Sequence, residues 1–367
     1  MEICHTVLVC PFSLDRLTGT PIRVKTTLRA LSSQMSVSVI ATQYSHPTPL
    51  FTVHTLGECS LLSFTKHSLT LLRTLRPAVV HGVTTASVVP LLLFKLFFSP
   101  RVVLIFEMHG WAWLELSKVH RPIVRILFCL LDYIGLWSAQ RVIAVSDAER
   151  RFLSRRTWRS YRVVTVWDPV DFGAPYVPPT RRENLVVGYI GNAAWWQGLH
   201  HIIGATVLLA GERNITFQLA GFDSSDHSQF PQLPSITYLG RVERDQILSF
   251  LRGCDVLVSP RVTEGVSDLQ FPHKLSEYLA AGRPVIVSSA SDQPLVIKQA
   301  QCGIVVDPLD AENISQAIIT LARCPYAERD VMGRRALKFA DENLSLPVLT
   351  QKLMHIYNPF ILKKTML

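Results

Sequence analysis

The 367-residue sequence predicts an α/β fold of two domains, each a parallel sheet flanked by helices. Two observations carry this prediction. Runs of four to eight residues rich in Val and Ile alternate with longer helical stretches, the pattern of strands buried on both faces. A segment near the middle, WDPVDFGAPYVPPTRREN, holds four prolines between Pro169 and Pro179 and divides the pattern into two series. The length suffices for two cores of ordinary size.

The first series of strands reads Thr6–Cys10, Ser36–Ala41, Ala78–His81, Val102–Glu107, Arg141–Val145 and Val163–Val166. The second reads Leu185–Ile190, Thr216–Ala220, Ile236–Leu239, Val256–Ser259, Pro284–Val287 and Gly303–Val306. The N-terminal domain is placed at residues 1–168, the linker at 169–183, the second domain at 184–345 and a closing helical stretch at 346–367. Val88 to Phe106 is the most apolar stretch, but Pro90, Lys95, Pro100 and Arg101 interrupt it, so it predicts a helix and a buried strand rather than a membrane span. His120 to Trp137 predicts a second apolar helix. Asp132 and Gly135 break its stripe and favour a core helix over one lying in a membrane interface.

Composition excludes a disordered chain: 48% of residues are hydrophobic and 18% charged, with no low-complexity tract. The net charge of +9 lies wholly in the first half, where residues 1–175 hold 19 Lys and Arg against 10 Asp and Glu; residues 176–367 hold 18 against 18. An acidic partner for that half is expected, an anionic membrane surface or a phosphorylated acceptor. Nucleic acid is not expected, because only Trp158 and Tyr161 interleave the arginines. The densest cluster, Arg150 to Arg162, places Arg151, Arg155 and Arg159 at helical spacing, a basic stripe that is alternatively a plain solvated face. Seven scattered cysteines without a C-x-x-C pair read as reduced core thiols. The start, Met-Glu followed by ICHTVLVCPF, has no signal-peptide flank, and a cytoplasmic protein, peripheral at the inner face of the membrane, is expected.

The most informative segment is FPHKLSEYLAAGRPVIVS, Phe271 to Ser288. Pro272 suits the first turn of a helix, whose outward N–H groups lack partners. Lys274 sits at that positive end, where a cation is easier to understand with a bound anion between it and the N–H groups. Glu277 follows at i+3, and its carboxylate suits the paired hydroxyls of a ribose. A simple i,i+3 surface ion pair is the alternative. Elsewhere, His109 follows a strand at its carboxyl end, where open α/β sheets build ligand crevices. In DRLTGTPIR, Gly19 precedes Thr20 as N-cap and Pro21 as first helical residue. Gly191 ends a strand and Gly198 starts a helix in GYIGNAAWWQGLHHI, positions that permit close backbone approach to a phosphate. Trp195 and Trp196 either pack a domain face or stack on a sugar.

The pattern P-x-K-L-x-E-Y-x-A-A-G-x-P-V-I resembles the donor-binding segment of family-4 retaining glycosyltransferases of the GT-B fold. The resemblance is sharp from Ser259 to Ser288 and covers the rest at the level of strand order. It implies two Rossmann-like domains facing an interdomain cleft, with the last helix returning to the first domain. It also implies transfer of a sugar from a nucleoside-diphosphate sugar to an acceptor hydroxyl in glycan, glycolipid or polysaccharide synthesis, with a glycan or lipid-linked acceptor. By the same resemblance Lys274 goes with the donor diphosphate, Glu277 with the ribose, Leu275 with the donor segment and His109 with the transferred sugar. Gly19, Thr20, Gly191, Gln197 and Gly198 go with the donor side. Many members carry Arg or Lys where Gln197 stands. Eight positions before Glu277, where many members have an acid, lies Leu269; Asp268 is nearest and takes the acidic catalytic role, with Glu264 the other candidate. Asp168-Pro169 also departs from the Asn-Gly-Val-Asp-like turn common there. No metal or other cofactor is implied. A nucleotide-sugar epimerase and a non-catalytic scaffold binding a nucleotide sugar or anionic polymer are the alternatives.

Overall fold

The computed structural model describes residues 5–16, 18–46, 48–116, 122–170, 172–222 and 230–361. It divides into two compact units, Met1–Pro169 with Leu346–Leu367, and Val170–Ser345. Cys4, His120, Asp171 and the tail residues Leu362, Lys363 and Lys364 lie outside the described residues.

In unit 1, β1 (His5–Ser13), β2 (Ser36–Gln43), β3 (Thr52–Thr55), β4 (Val79–Val83), β5 (Val103–Met108), β6 (Arg141–Ala144) and β7 (Val163–Thr165) form a sheet in the order β3-β2-β1-β4-β5-β6-β7. Every neighbouring pair is parallel. Helices α1 (Gly19–Ser32), α2 (Leu61–Leu75), α3 (Val88–Phe97), α4 (Ala112–Glu115), α5 (Pro122–Ser138) and α6 (Asp147–Ser154) connect the strands. Because successive side chains of a strand point to opposite faces, β1 sends Leu8 and Cys10 into one core and Val7 and Val9 into another. The second core is closed by Phe64 and Leu72 of α2 and Leu91 and Phe94 of α3.

Unit 2 repeats the plan. Strands β8 (Leu185–Ile190), β9 (Ile215–Ala220), β10 (Ile236–Tyr238), β11 (Val256–Ser259), β12 (Val285–Ser288) and β13 (Gly303–Val306) run in the order β10-β9-β8-β11-β12-β13, again parallel. Its helices are α7 (Leu199–Leu208), α8 (Ile247–Gly253), α9 (His273–Ala280), α10 (Gln293–Ala300), α11 (Ala311–Arg323) and α12 (Tyr326–Asn343). The chain then enters α13 (Leu346–Ile361), which places Leu349, Leu353, Ile356 and Tyr357 in the first core of unit 1. In both sheets the strand order reverses beside the first strand, so the loops leaving β1 and β8 open at a topological switch point.

All twelve predicted strands are present, with ends shifted by a few residues. β3 is additional: it is a four-residue edge strand with no fully buried residue, too short and too polar to leave a hydrophobic run.

Three expectations are corrected. The arginine stripe does not form, because α6 ends at Ser154 and the Thr157 hydroxyl accepts the Arg159 N–H in a turn. Helix α5 is not a core helix: its buried residues are Asp132, Gly135 and Leu136, the two supposed interruptions among them. Of the described cysteines, Cys10, Cys254 and Cys302 are buried, but Cys59 is exposed and Cys129 and Cys324 are half-buried, all as free thiols. Among the described residues no helix is long and apolar enough to cross a membrane.

Candidate functional site

In unit 1 the site is a chain of charged and polar side chains along the ends of β1, β4 and β5. Arg23, wholly buried on α1, donates from Nε to Glu107 Oε1 at 3.0 Å and from Nη1 to Asp168 Oδ1 at 2.9 Å. Glu107 also accepts the His109 Nε2 proton at 2.8 Å. That bond assigns the tautomer and leaves Nδ1 to accept from the Thr20 hydroxyl at 3.3 Å. Burial alone would raise the Glu107 carboxyl, but Arg23 and the His109 ring outweigh it and hold it well below the usual carboxylate range. His81, beside Glu107 and bonded to the Tyr357 hydroxyl at 2.7 Å, is pushed by burial down to about 4 and stays neutral.

The loop that carries His109 is fixed from α6. Ser146 caps that helix by accepting the Glu149 N–H at 2.8 Å, and Glu149 reaches back to accept the N–H groups of Val145 at 2.8 Å and Gly110 at 2.6 Å. Gly110 has φ +127, a conformation open to glycine. His109 is therefore held on both sides of its backbone and ring.

Gly19 and Thr20 are where the sequence predicts a helix start, with one correction. The N-cap is Thr18, whose carbonyl accepts the Ile22 N–H at 3.2 Å, and α1 begins at Gly19. Thr20 lies inside the first turn, and its hydroxyl faces His109 instead of capping. Arg23, Glu107 and Asp168 were missed by sequence reading. The Asp168-Pro169 departure was the available signal: Asp168 is the second carboxylate for Arg23.

In unit 2 the site gathers at the ends of β8 and β11 and the start of α9. Pro272 is the N-cap of α9, just outside the first turn predicted for it, and Lys274 lies in that turn. Its Nζ is buried and has no hydrogen-bond partner among the described residues; it sits 4.4 Å over the Tyr189 ring. Burial, and then the Arg261 charge, push the Lys274 ammonium well below its ordinary value, against a weaker pull from Glu277. A buried ammonium with no acceptor beside a second cation is costly unless an anion joins it.

Arg261, also missed by sequence reading, is buried just after β11 and donates to Ser267 Oγ at 3.2 Å. It brings to this region a guanidinium that Gln197 does not supply. Gln197 closes a short turn with Trp195 and Trp196, and its Oε1 is buried without a hydrogen-bond partner among the described residues. The two tryptophans meet edge to face with centroids 5.9 Å apart and remain partly exposed.

Of the two glycines, Gly198 is sterically required. Gly198 is the N-cap of α7 with φ +68, and a Cβ there would lie 1.7 Å from the Pro260 carbonyl oxygen. A Cβ on Gly191 would lie 2.7 Å from the Tyr189 hydroxyl and 3.2 Å from Lys274 Nζ. Backbone at Gly191 is thus drawn close to the Lys274 charge.

Glu277 is buried on α9 and already engaged: its Oε1 accepts from Arg244, and His273 Nε2 lies 3.4 Å away. Burial would raise it, but His273 and Arg244 keep it below the ordinary value. Leu275 is wholly buried and gives its N–H to the Pro272 carbonyl at 2.9 Å, so it joins the core. Asp268 ends a short turn, half-buried, raised by burial and partly offset by Arg261; Glu264 is exposed. Among the described residues no cluster of three His, Cys, Asp or Glu side chains has the arrangement of a metal site.

Residues 184–324 match the family model described as Glycosyl transferases group 1. The chain is 25% identical over 183 residues to the N,N'-diacetylbacillosaminyl-diphospho-undecaprenol alpha-1,3-N-acetylgalactosaminyltransferase of Campylobacter jejuni; the matched stretch covers 48% of this chain and 45% of that protein. Across 98% of its length the chain superposes on the whole of a sucrose-phosphate synthase of Thermosynechococcus elongatus, with a TM-score of 0.79 at 15% identity. It superposes over 96% of its length on 99% of the HepE protein of Anabaena in complex with UDP-glucose, with a TM-score of 0.74 at 15% identity. These likenesses establish the GT-B fold. Lys274, Arg261, Gly191 and Gly198 lie within the matched residues, and His109 lies in unit 1.

Proposed function

We propose that the chain is a retaining glycosyltransferase that moves a sugar from a nucleoside-diphosphate sugar to the hydroxyl of a glycan or lipid-linked acceptor. The observation that carries this reading is the partnerless buried ammonium of Lys274 beside Arg261 at the start of α9. A diphosphate would supply the missing anion, with Lys274, Arg261 and the backbone at Gly191 and Gly198 around it. Glu277 would take the ribose hydroxyls, exchanging its bond from Arg244 for bonds from the ligand. Because the two cations stabilise the charge that develops on the leaving diphosphate, no metal is required. His109, with its ring set by Glu107 and Thr20, acts on the transferred sugar, and Asp268 is the acidic group. The Campylobacter relative's name and the UDP-glucose bound to the Anabaena protein support the same class of donor and acceptor. Free thiols, the exposed Cys59 among them, suit a reducing cytoplasmic compartment.

The test is NMR of the anomeric proton while the protein and EDTA are incubated with UDP-, GDP-, ADP- or dTDP-sugars and acceptor extracts. The expected product keeps the donor's anomeric configuration, and Lys274→Met and Glu277→Ala abolish its formation. An inverted product, a requirement for added metal, or a donor that is bound and never consumed would overturn the reading, the last in favour of a binding scaffold. Conversion of the donor sugar without an acceptor would mark an epimerase.

A further inference from the structure

Helix α5 presents its apolar side to solvent. Asp132 faces inward, accepting from the Thr85 hydroxyl at 2.6 Å and the Ala112 N–H at 2.7 Å. Gly135 also faces inward, where a Cβ would lie 2.5 Å from the Phe106 ring. The opposite face carries Ile123, Ile126, Leu127, Leu130, Ile134 and Trp137 at helical spacing, with exposures of 71%, 49%, 54%, 52%, 40% and 52%. The one acidic residue of α5 is the buried Asp132.

The rim of this stripe is cationic and aromatic. Arg125 of α5 stacks on the exposed Trp113 at 4.1 Å. Trp137 donates from its indole N–H to the Arg156 carbonyl at 3.2 Å, which joins the stripe to the turn after α6. On that turn Trp158 is 77% exposed and Tyr161 69%, each beneath its own arginine, Arg159 at 4.0 Å and Arg162 at 5.6 Å. Apolar helix face, interfacial tryptophans and flanking arginines are together the makeup of a helix lying in a lipid headgroup layer.

From this arrangement we infer that the outer face of α5 docks unit 1 on a bilayer containing anionic lipids. A second copy of the chain is a poorer occupant, because a two-fold pairing through this face would bring the arginine rims together. Anionic headgroups neutralise them, in keeping with the excess of 19 Lys and Arg over 10 Asp and Glu in residues 1–175. The seventeen residues of α5 are too few to span a bilayer, so the helix lies in the membrane plane rather than across it. The inference is independent of the reaction proposed above.

The full-length protein is sedimented with phosphatidylcholine vesicles with and without phosphatidylglycerol, across a salt series. It is expected in the pellet only with the anionic vesicles, and less so as salt rises. The double variant Leu127→Glu, Leu130→Glu, changed at exposed positions and expected to melt like the wild type, should partition about tenfold less or weaker still. Arg159→Ser with Arg162→Ser should weaken binding at low salt and flatten the salt dependence. Brominated lipid should quench wild-type tryptophan fluorescence, a readout that needs no variant. Wild type left in the supernatant at low salt, or the double glutamate variant pelleting as well as wild type, overturns the inference. So does a dimer in solution that Leu130→Glu separates while vesicles bind neither form.

Discussion

Replacing Arg23 by Met leaves two buried carboxylates without their cation, and the consequence is calculable. Arg23 makes bonds of 3.0 Å and 3.4 Å to Glu107 and 2.9 Å to Asp168 from a side chain with no exposed surface. Removing one partner from a buried, hydrogen-bonded ion pair costs about 3–5 kcal/mol. The loss should depend on pH. In the wild type Glu107 is held well below its ordinary value, so its contribution is full above the unfolded-state value and fades as pH falls toward the folded one. In the variant the Arg23 charge is gone and burial raises the carboxyl, so stability is instead lost as pH rises. The deficit of Arg23→Met is therefore expected to be larger near pH 8 than near pH 5, about pH 5 being where a raised carboxyl is still protonated. Urea unfolding followed by tryptophan fluorescence measures it, since Trp111, Trp113, Trp137, Trp158 and Trp167 all lie in unit 1. A deficit under about 1 kcal/mol, or one equal at both pH values, would refute the reasoning.

Other expectations concern the sites directly. Glu107→Gln removes the negative charge that the His109 ring faces, so kcat should fall about tenfold to a hundredfold while donor affinity, read by titration, holds; weakened donor binding would contradict this. Gly198→Ala forces a Cβ onto the Pro260 carbonyl at positive φ, and should destabilise unit 2 by about 1–3 kcal/mol and weaken donor binding. A variant with wild-type melting would show that the turn adapts. Asp132, raised by burial to about 7, contributes stability at low pH that is lost as pH rises through that value. Asp132→Asn should therefore flatten the pH dependence of unit 1 unfolding across neutrality, and an unchanged slope would exclude Asp132 as its source.

Much of the fold was legible because parallel strands covered on both faces are continuous Val and Ile runs, as in LVVGYI, where all six residues are buried. The placement of Lys274 and Glu277 was legible because both share one short helix behind Pro272. Arg23 with Asp168 and Lys274 with Arg261 were not, since those side chains meet only after the sheets form and no local period connects them. The N-cap of α1 was read as Thr20, and the backbone places it two residues earlier, at Thr18. Helix α5 misled for a physical reason: a lone Asp and a Gly read as breaks in an apolar stripe, whereas here they are its inward face, the Asp satisfied by Thr85 and Ala112.

The central claim is that a nucleoside diphosphate completes the charge at Lys274. Because burial and Arg261 depress this ammonium, it is expected to gain a proton when the diphosphate arrives. Calorimetric titration of the metal-free protein with UDP-, GDP- and ADP-sugars, repeated in two buffers of different ionisation heat, measures that uptake. The account predicts that one donor binds with a proton uptake that grows as pH is raised, and that Lys274→Met loses the uptake and about tenfold or more in affinity. Binding without any proton uptake, or an unchanged affinity in Lys274→Met, would contradict it.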